Sequence, residues 1–181
     1  MEKVNIIGCG RAAGSLAKLW LQSGSYKPGG IANRSVDSSA AAVARIGAGI
    51  PVQTATDMPD AQYWMIGTSD HQIATVAEML ANSGVQLEGC LVFHLAGRFG
   101  VDVLAALEGS GAKLAALHPV RSLTHEHLGL EDFAGTACVA EGGEAALEML
   151  KPLVSAPGGS WLPVNDIDRG LYHAAVAMTS N

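Results

Sequence analysis

Residues 5–17 read NIIGCGRAAGSLA, and their reading decides the fold. The apolar run Val4 to Ile7 predicts a strand, Gly8-Cys9-Gly10 a tight turn, and the amphipathic stretch Ser15 to Leu21 a helix. Gly8 permits a sharp exit from the strand, and Gly10 lets the backbone come close to a pyrophosphate. The small Ala13 lets the helix pack tightly on the sheet. The start of the helix then turns its N–H groups and the positive end of its dipole toward phosphate oxygens. The pattern is Gly-x-Gly-x-x-Ala in the strand, turn and helix context that a dinucleotide site requires, and Arg11 lies within the same motif.

A chain of 181 residues holds one ordinary domain with a real core, or one domain and the beginning of a second. With 49% hydrophobic and 15% charged residues it is a globular sequence rather than a disordered one. Its net charge of −6 gives no basic footprint for nucleic acid or for an anionic membrane. No apolar stretch is long enough to span a membrane, and the N-terminus enters its first strand without a signal-peptide pattern, so a cytoplasmic location is expected. The cysteines Cys9, Cys90 and Cys138 are far apart, odd in number and outside any C-x-x-C spacing, which argues against a disulfide framework or a zinc site. Cys9 reads as a small space-filling residue rather than a reactive thiol.

Beyond the first helix, a Gly/Ser/Pro-rich connection leads to a short second strand at Gly30 to Asn33. Ser35 and Asp37 then cap a helix through Ser38 to Ile46. Further strands are expected at Gln62–Gly67, Cys90–Leu95, Lys113–Leu117, Thr136–Ala140 and Trp161–Val164. Helices are expected at Ile73–Leu80, near Asp102–Leu107 and near Glu144–Val154. Alternating strands and helices imply an α/β fold with a doubly wound, mostly parallel sheet over residues 1–165. Residues 166–181 read as one more helix, apolar on more than one face, which needs something else to pack on; a truncated second domain or a partner subunit is expected.

In a dinucleotide fold the end of the second strand selects the ribose. A carboxylate there bonds the 2′-hydroxyl of NAD and repels the 2′-phosphate of NADP. Here the strand runs out through Asn33-Arg34-Ser35, without a carboxylate. Arg34 offers a planar fork of donors to a phosphate, and Ser35 adds a hydroxyl at a helix start. NADP is therefore the expected cofactor, and NAD the lesser one. An S-adenosylmethionine methyltransferase, which also uses a glycine-rich first turn, would usually place an acidic residue at this strand end, and Asn33-Arg34 argues against it.

Ligands of open parallel sheets bind beyond the carboxyl ends of the strands. Three polar sets are expected there: Thr68-Ser69-Asp70, His94-Leu95-Ala96-Gly97 and His118-Pro119-Val120-Arg121-Ser122. Thr68 and Ser69 would face the pyrophosphate or the nicotinamide ribose, while Asp70 also reads as a helix cap. His94 either donates to a ribose or substrate oxygen or is a buried histidine bonded to backbone. His118 precedes a proline that turns the chain away at the edge of the sheet, where an imidazole either gives a proton to a carbonyl or imine or merely orders the loop. His125-Glu126-His127 resembles a metal pair but has no third ligand nearby and reads as a solvated loop. His173, on the last helix, is a second acid/base candidate.

The stretches GCGRAAGSLA, ANRS, IGTSDHQI, FHLAG, ALHPVRS and LYHAAVAMTSN together resemble Rossmann-like proteins that carry a companion domain of unknown function. That group is similar to NADP-dependent pyrroline-5-carboxylate reductases and other beta-hydroxyacid-dehydrogenase-like enzymes. The resemblance spans almost the whole chain, and ALHPVRS with YHAAVAMTSN is its more specific part. It implies an N-terminal NADP-binding domain and a C-terminal helical domain that forms a homodimer and closes the active site. This chain departs in carrying Ala13 where a glycine is common, and in ending where the helical domain is expected to begin. The resulting expectation is an NADP-dependent oxidoreductase acting on a small carbonyl, imine or hydroxy acid, with His118 or His173 supplying a proton. The other expectations are a non-catalytic NADP-binding sensor, favoured by the absence of lysine near the strand ends, and a deazaflavin-linked NADP reductase.

Overall fold

The computed structural model describes residues 1–123, 129–165, 168 and 170–172. It is an α/β protein built on one eight-stranded sheet in the order β3-β2-β1-β4-β5-β6-β7-β8. The strands are β1 (Glu2–Ile7), β2 (Tyr26–Ala32), β3 (Ile50–Val52), β4 (Tyr63–Ile66), β5 (Leu91–His94), β6 (Lys113–Pro119), β7 (Ala137–Gly142) and β8 (Ser160–Pro163). The helices are α1 (Arg11–Ser23), α2 (Val36–Ile46), α3 (Ile73–Ala81), the four-residue α4 (Leu130–Phe133) and α5 (Glu144–Ser155), with a 3-10 segment at Val101–Leu107. No helix among the described residues is long and apolar enough to cross a membrane.

Every residue of β4 and β5 is buried, because helices cover both faces of the sheet. Strand periodicity then sorts their side chains. Tyr63, Met65, Leu91 and Phe93 join the core beneath α1, α2 and α5, where Leu16, Trp20, Leu150 and Leu153 meet them. Trp64, Ile66 and Val92 join the opposite core with Ile73, Ala77, Leu80, Leu104 and Leu107. The Trp20 indole Nε1–H donates to the Leu153 carbonyl at 2.7 Å and so ties α1 to α5.

Three features differ from the sequence expectation. First, β2 begins four residues earlier than Gly30, inside the Gly/Pro-rich stretch. The register with β1 shifts between Val4 and Ile6, and the buried Asn5 fills the irregularity. Its Oδ1 accepts from Gly30 N–H at 2.8 Å and its Nδ2 donates to the Pro59 carbonyl at 2.8 Å. Pro28 is tolerated because β3 pairs only with Gly30 to Ala32, which leaves that part of β2 an edge. Second, β7 runs antiparallel to β6. The described part of their connection carries only α4, too short to serve as a crossover helix. Third, β6 continues through His118 and Pro119 and lies between β5 and β7 rather than at the sheet's edge. Val120 N–H donates to Ala137 of β7, while β5 pairs no further than Ala116, so the missing N–H of Pro119 points where no strand asks for it.

The chain winds outward from β1 through β2 to β3, then returns to place β4 on the other side of β1. The sheet thus reverses direction between β1 and β4, and a crevice opens beyond their carboxyl ends.

Candidate dinucleotide site

That crevice is floored by the turn after β1. Gly8 has φ +82°, and a Cβ there would stand 2.6 Å from Thr68 N and 2.8 Å from Thr68 Cα, so only glycine fits. Gly8 N–H donates to Ala32 and Gly67 N–H to Ile7, which fixes the turn between both neighbouring strands. Ala13 is fully buried, and a side chain on Gly67 would collide with its Cβ, so the small pair brings α1 down onto β4. Gly10 differs. Its φ of −75° suits any residue, and a Cβ there would meet nothing closer than Gly67 O at 3.8 Å. The fold itself does not ask for glycine at position 10; the open space above it does.

Helix α1 begins over that space. Its N-cap is Gly10, no side chain caps it, and no acidic residue stands in its first turn. The first intrahelical bond is from Gly14 N–H to Gly10 O, which leaves the N–H groups of Arg11, Ala12 and Ala13 without an acceptor among the described residues. Arg11 is exposed beside them.

At the end of β2, Asn33 is a structural tie. Its Oδ1 accepts from Cys9 N–H at 2.6 Å and its Nδ2 donates to the Ser38 carbonyl at 2.9 Å, joining the glycine turn to α2. Ser35 caps α2 in a reciprocal pair with Ser38, as the sequence anticipates. Arg34 is exposed and makes no hydrogen bond or ion pair among the described residues. The nearest acidic side chain along the chain, Asp37, is used in the first turn of α2. Arg45 reaches back from α2 to the Cys9 carbonyl at 3.2 Å.

The remaining strand ends divide by role. Thr68 stands against Gly8, and its Oγ1 is buried without a partner among the described residues. Ser69 is exposed and contacts Gln72 Oε1 at 3.3 Å, ahead of a 3-10 turn, Asp70–Gln72, that precedes α3. Asp70 is therefore the first residue of that turn and does not cap α3. His94 is fully buried. Its Nδ1 accepts from Ala96 N–H at 3.1 Å, which places the ring proton on Nε2, and Nε2 donates to the Gly100 carbonyl at 2.9 Å. This is the buried, backbone-bonded histidine of the second sequence reading. His118 instead faces a cleft of about 350 Å³ that it shares with Arg11, Ala12, Arg121 and Ser122. The structure thus joins the start of α1 to the end of β6 across the crevice. His173, the other expected acid/base residue, lies outside the described residues, as does His125-Glu126-His127.

A family model described as Rossmann-like domain matches residues 1–119. The chain belongs to that Rossmann-like family. No curated protein sequence matches it. Among solved structures, a protein from Thermotoga maritima is similar at 22% identity with a TM-score of 0.72, covering 98% of this chain and 63% of that one. Prephenate dehydrogenase from Aquifex aeolicus, in complex with hydroxyphenyl propionate and NAD+, is similar at 18% identity and TM-score 0.72, over 97% of this chain and 63% of that one. An imine reductase from Myxococcus stipitatus in complex with NADP+ gives 19% identity and TM-score 0.70, over 98% and 60%. At these identities the likeness is one of fold, and this chain spans less than two thirds of the length of each of the three.

A wider groove of about 740 Å³ opens in this Rossmann-like domain at the opposite, amino-terminal end of β4 and β5, between Gln62 and Cys90. Asp60 and Glu88 line it, which suits no phosphate, so the smaller cleft at the carboxyl ends is the better candidate despite its size. Cys9, in the glycine turn, is buried, and burial raises its thiol to about 11 in spite of the Arg45 guanidinium. It fills space, as the sequence reading holds. Sequence reasoning set Gly97 at a strand end without a role and missed the partner of His118. A Cβ on Gly97 would stand 2.6 Å from His118 Cε1 and 2.7 Å from Nε2, so the imidazole lies on the glycine. Tyr172 Oη stands 2.8 Å from His118 Nδ1. The signal available was Gly97 in a strand-end loop; nothing in the spacing pairs residue 118 with residue 172.

Proposed function

We propose that this domain binds NADP(H) across the β1/β4 crevice and serves an oxidoreductase that moves a hydride between NADP(H) and a small carbonyl, imine or hydroxy-acid substrate. The observation that carries the reading is Gly10: backbone and neighbours leave room for a side chain there, and the sequence supplies none, beside three N–H groups of α1 that lack an acceptor among the described residues. A pyrophosphate fits both facts. Arg34 and Arg11 add positive charge on either side, with no carboxylate at the end of β2 to oppose a 2′-phosphate. Ser35 keeps its cap and turns the start of α2 toward the same phosphate.

Bound there, the nicotinamide supplies or accepts the hydride. The protein's own share is to orient and to manage a proton. Gly8 and Gly10 keep the turn low, Asn33 holds that turn to the ribose-selecting end of β2, and His118 brings an imidazole to the cleft where α1 begins. An imidazole at that place holds a proton within reach of a substrate oxygen or nitrogen. Solved structures of like fold include one in complex with NADP+ and one with NAD+, and the absence of an acidic residue after β2 favours the former for this chain.

Calorimetric titration of this chain with NADPH and with NADH tests the proposal. NADPH is expected to bind at least about tenfold more tightly, the worth of one charge-assisted clamp. Equal affinities would remove the 2′-phosphate reading, and no binding of either would remove the dinucleotide reading.

A further inference from the structure

His118 is held on two sides. Its imidazole lies over Gly97, where any side chain would displace it, and its Nδ1 is hydrogen-bonded to Tyr172 Oη at 2.8 Å. The two rings meet edge to face, 5.7 Å between centroids and 88° between planes. Tyr172 comes from the short helical stretch Gly170–Tyr172, whose start is fixed by Asp168. Its Oδ1 accepts from Leu171 N–H and its carbonyl from Tyr172 N–H, each at 2.9 Å. A residue distant in sequence is thus brought to the one strand-end imidazole that lines the cleft.

We propose that Tyr172 is the positioning residue of His118, and that it sets the tautomer in which the neutral imidazole carries its proton on Nε2. The argument is one of relative acidity. A phenol titrates near 10 and a neutral imidazole N–H far higher, so in an uncharged pair the phenol is the better donor and the ring nitrogen the better acceptor. With Tyr172 donating to Nδ1, the ring proton resides on Nε2. The pair then has a balanced route for proton delivery. As hydride adds to a substrate carbonyl carbon, the Nε2–H bond breaks and an O–H bond forms on the substrate. The phenol proton moves to Nδ1, so the imidazole stays neutral; water then returns a proton to Nε2 as Nδ1 gives its proton back to the phenolate, which restores the starting tautomer. The transfer runs downhill because an alkoxide is a far stronger base than a phenolate. This deepens the oxidoreductase reading and rests on it for the hydride.

The tautomer itself is measured without cofactor or substrate. Long-range 1H–15N spectra of the uniformly labelled chain at pH 8, with the His118 signals assigned by their loss in His118→Gln, read which ring nitrogen bears the proton. The expected result is a His118 held in the Nε2–H form. In Tyr172→Phe, which keeps the edge-to-face ring and lacks only the hydroxyl, the His118 signals shift toward the averaged positions of a mixed tautomer. The signals of the other five histidines stay in place, which reports that the variant is folded. A His118 protonated on Nδ1, or a spectrum unchanged by Tyr172→Phe, overturns the proposal. Failure of the NADPH titration with the expected tautomer shift intact would instead overturn the oxidoreductase reading and leave the pair's geometry standing.

Discussion

Two glycines in the first turn, Gly8 and Gly10, are of opposite kinds, and substitution separates them. Gly8→Ala puts a Cβ against the Thr68 backbone at a left-handed φ, a conformation that costs an L-residue about 1–2 kcal/mol before any clash. The expected outcome is a clear loss of stability in urea unfolding. Gly10→Ala adds its methyl to open space at φ −75°, so unfolding stays within about 0.5 kcal/mol of the parent while NADPH affinity falls at least about tenfold. A Gly10→Ala variant that unfolds early, or that binds NADPH as the parent does, contradicts the assignment of that space to a ligand. Arg34 gives the companion prediction. With no partner among the described residues, Arg34→Ala is expected to leave stability unchanged. It should cost NADPH about 1.5–3 kcal/mol of binding, roughly ten- to a hundredfold, and NADH little. Parallel losses for both nucleotides by calorimetry would show that the arginine is not reading the 2′-phosphate.

Among the elements, those whose local chemistry agrees with their tertiary use were legible. β1, its turn and α1 follow from an apolar run, two glycines and an amphipathic stretch, and α2 from a serine cap and a terminal glycine in the left-handed conformation. The polar strand ends at 68–70, 94–97 and 118–122 were read as one crevice from the expected topology; of these, Leu95 and four of residues 118–122 line a cleft with Arg11, while 68–70 do not. What stayed hidden depends on distant partners. β2 looks like a loop because Tyr26-Lys27-Pro28-Gly29-Gly30 has weak strand propensity, and it becomes a strand because Asn5 satisfies the backbone that the irregular register leaves over. The reversal of β7 goes with a connection whose described part holds no crossover helix, which composition does not announce. Asn33 is placed by the sequence at the ribose-selecting end of β2, but its two hydrogen bonds to Cys9 N–H and the Ser38 carbonyl are not legible there. Asn5 supplies the test at this scale. Asn5→Leu leaves Gly30 N–H and the Pro59 carbonyl without their partner in a buried place, at about 1–3 kcal/mol each. The urea midpoint should drop accordingly, and a change under about 0.5 kcal/mol would show that the sheet closes without this side chain.

Taken as one body, the molecule buries ionisable groups in their neutral forms along the sheet, and this sets its response to alkali. Burial raises the Cys9 thiol from 9.0 to about 11 and the Cys138 thiol from 9.0 to about 12. Burial also raises Tyr63 and Tyr26, with the Glu2 carboxylate acting in the same direction on both. In each case the charged form is the deprotonated one and the folded chain holds its proton more firmly. Above pH 9 the unfolded thiols therefore lose protons that the folded ones keep, and each adds a slope of about −1.4 kcal/mol per pH unit to stability. The contribution is whole below pH 9 and falls away through pH 11 for Cys9 and pH 12 for Cys138. Urea unfolding between pH 8 and 11 is expected to show a plateau followed by a steep decline, and Cys9→Ala with Cys138→Ala should remove the decline up to about pH 10, above which the raised Tyr26 and Tyr63 keep part of it. At pH 8 the same shift leaves only about one Cys9 in a thousand as thiolate, so an alkylating probe should spare Cys9 and Cys138 in the folded chain and label Cys90, which is half-buried, first. Rapid labelling of Cys9 without prior unfolding would mean that the glycine turn opens on its own, and a turn that loose could not hold the low backbone over which a pyrophosphate is proposed to sit.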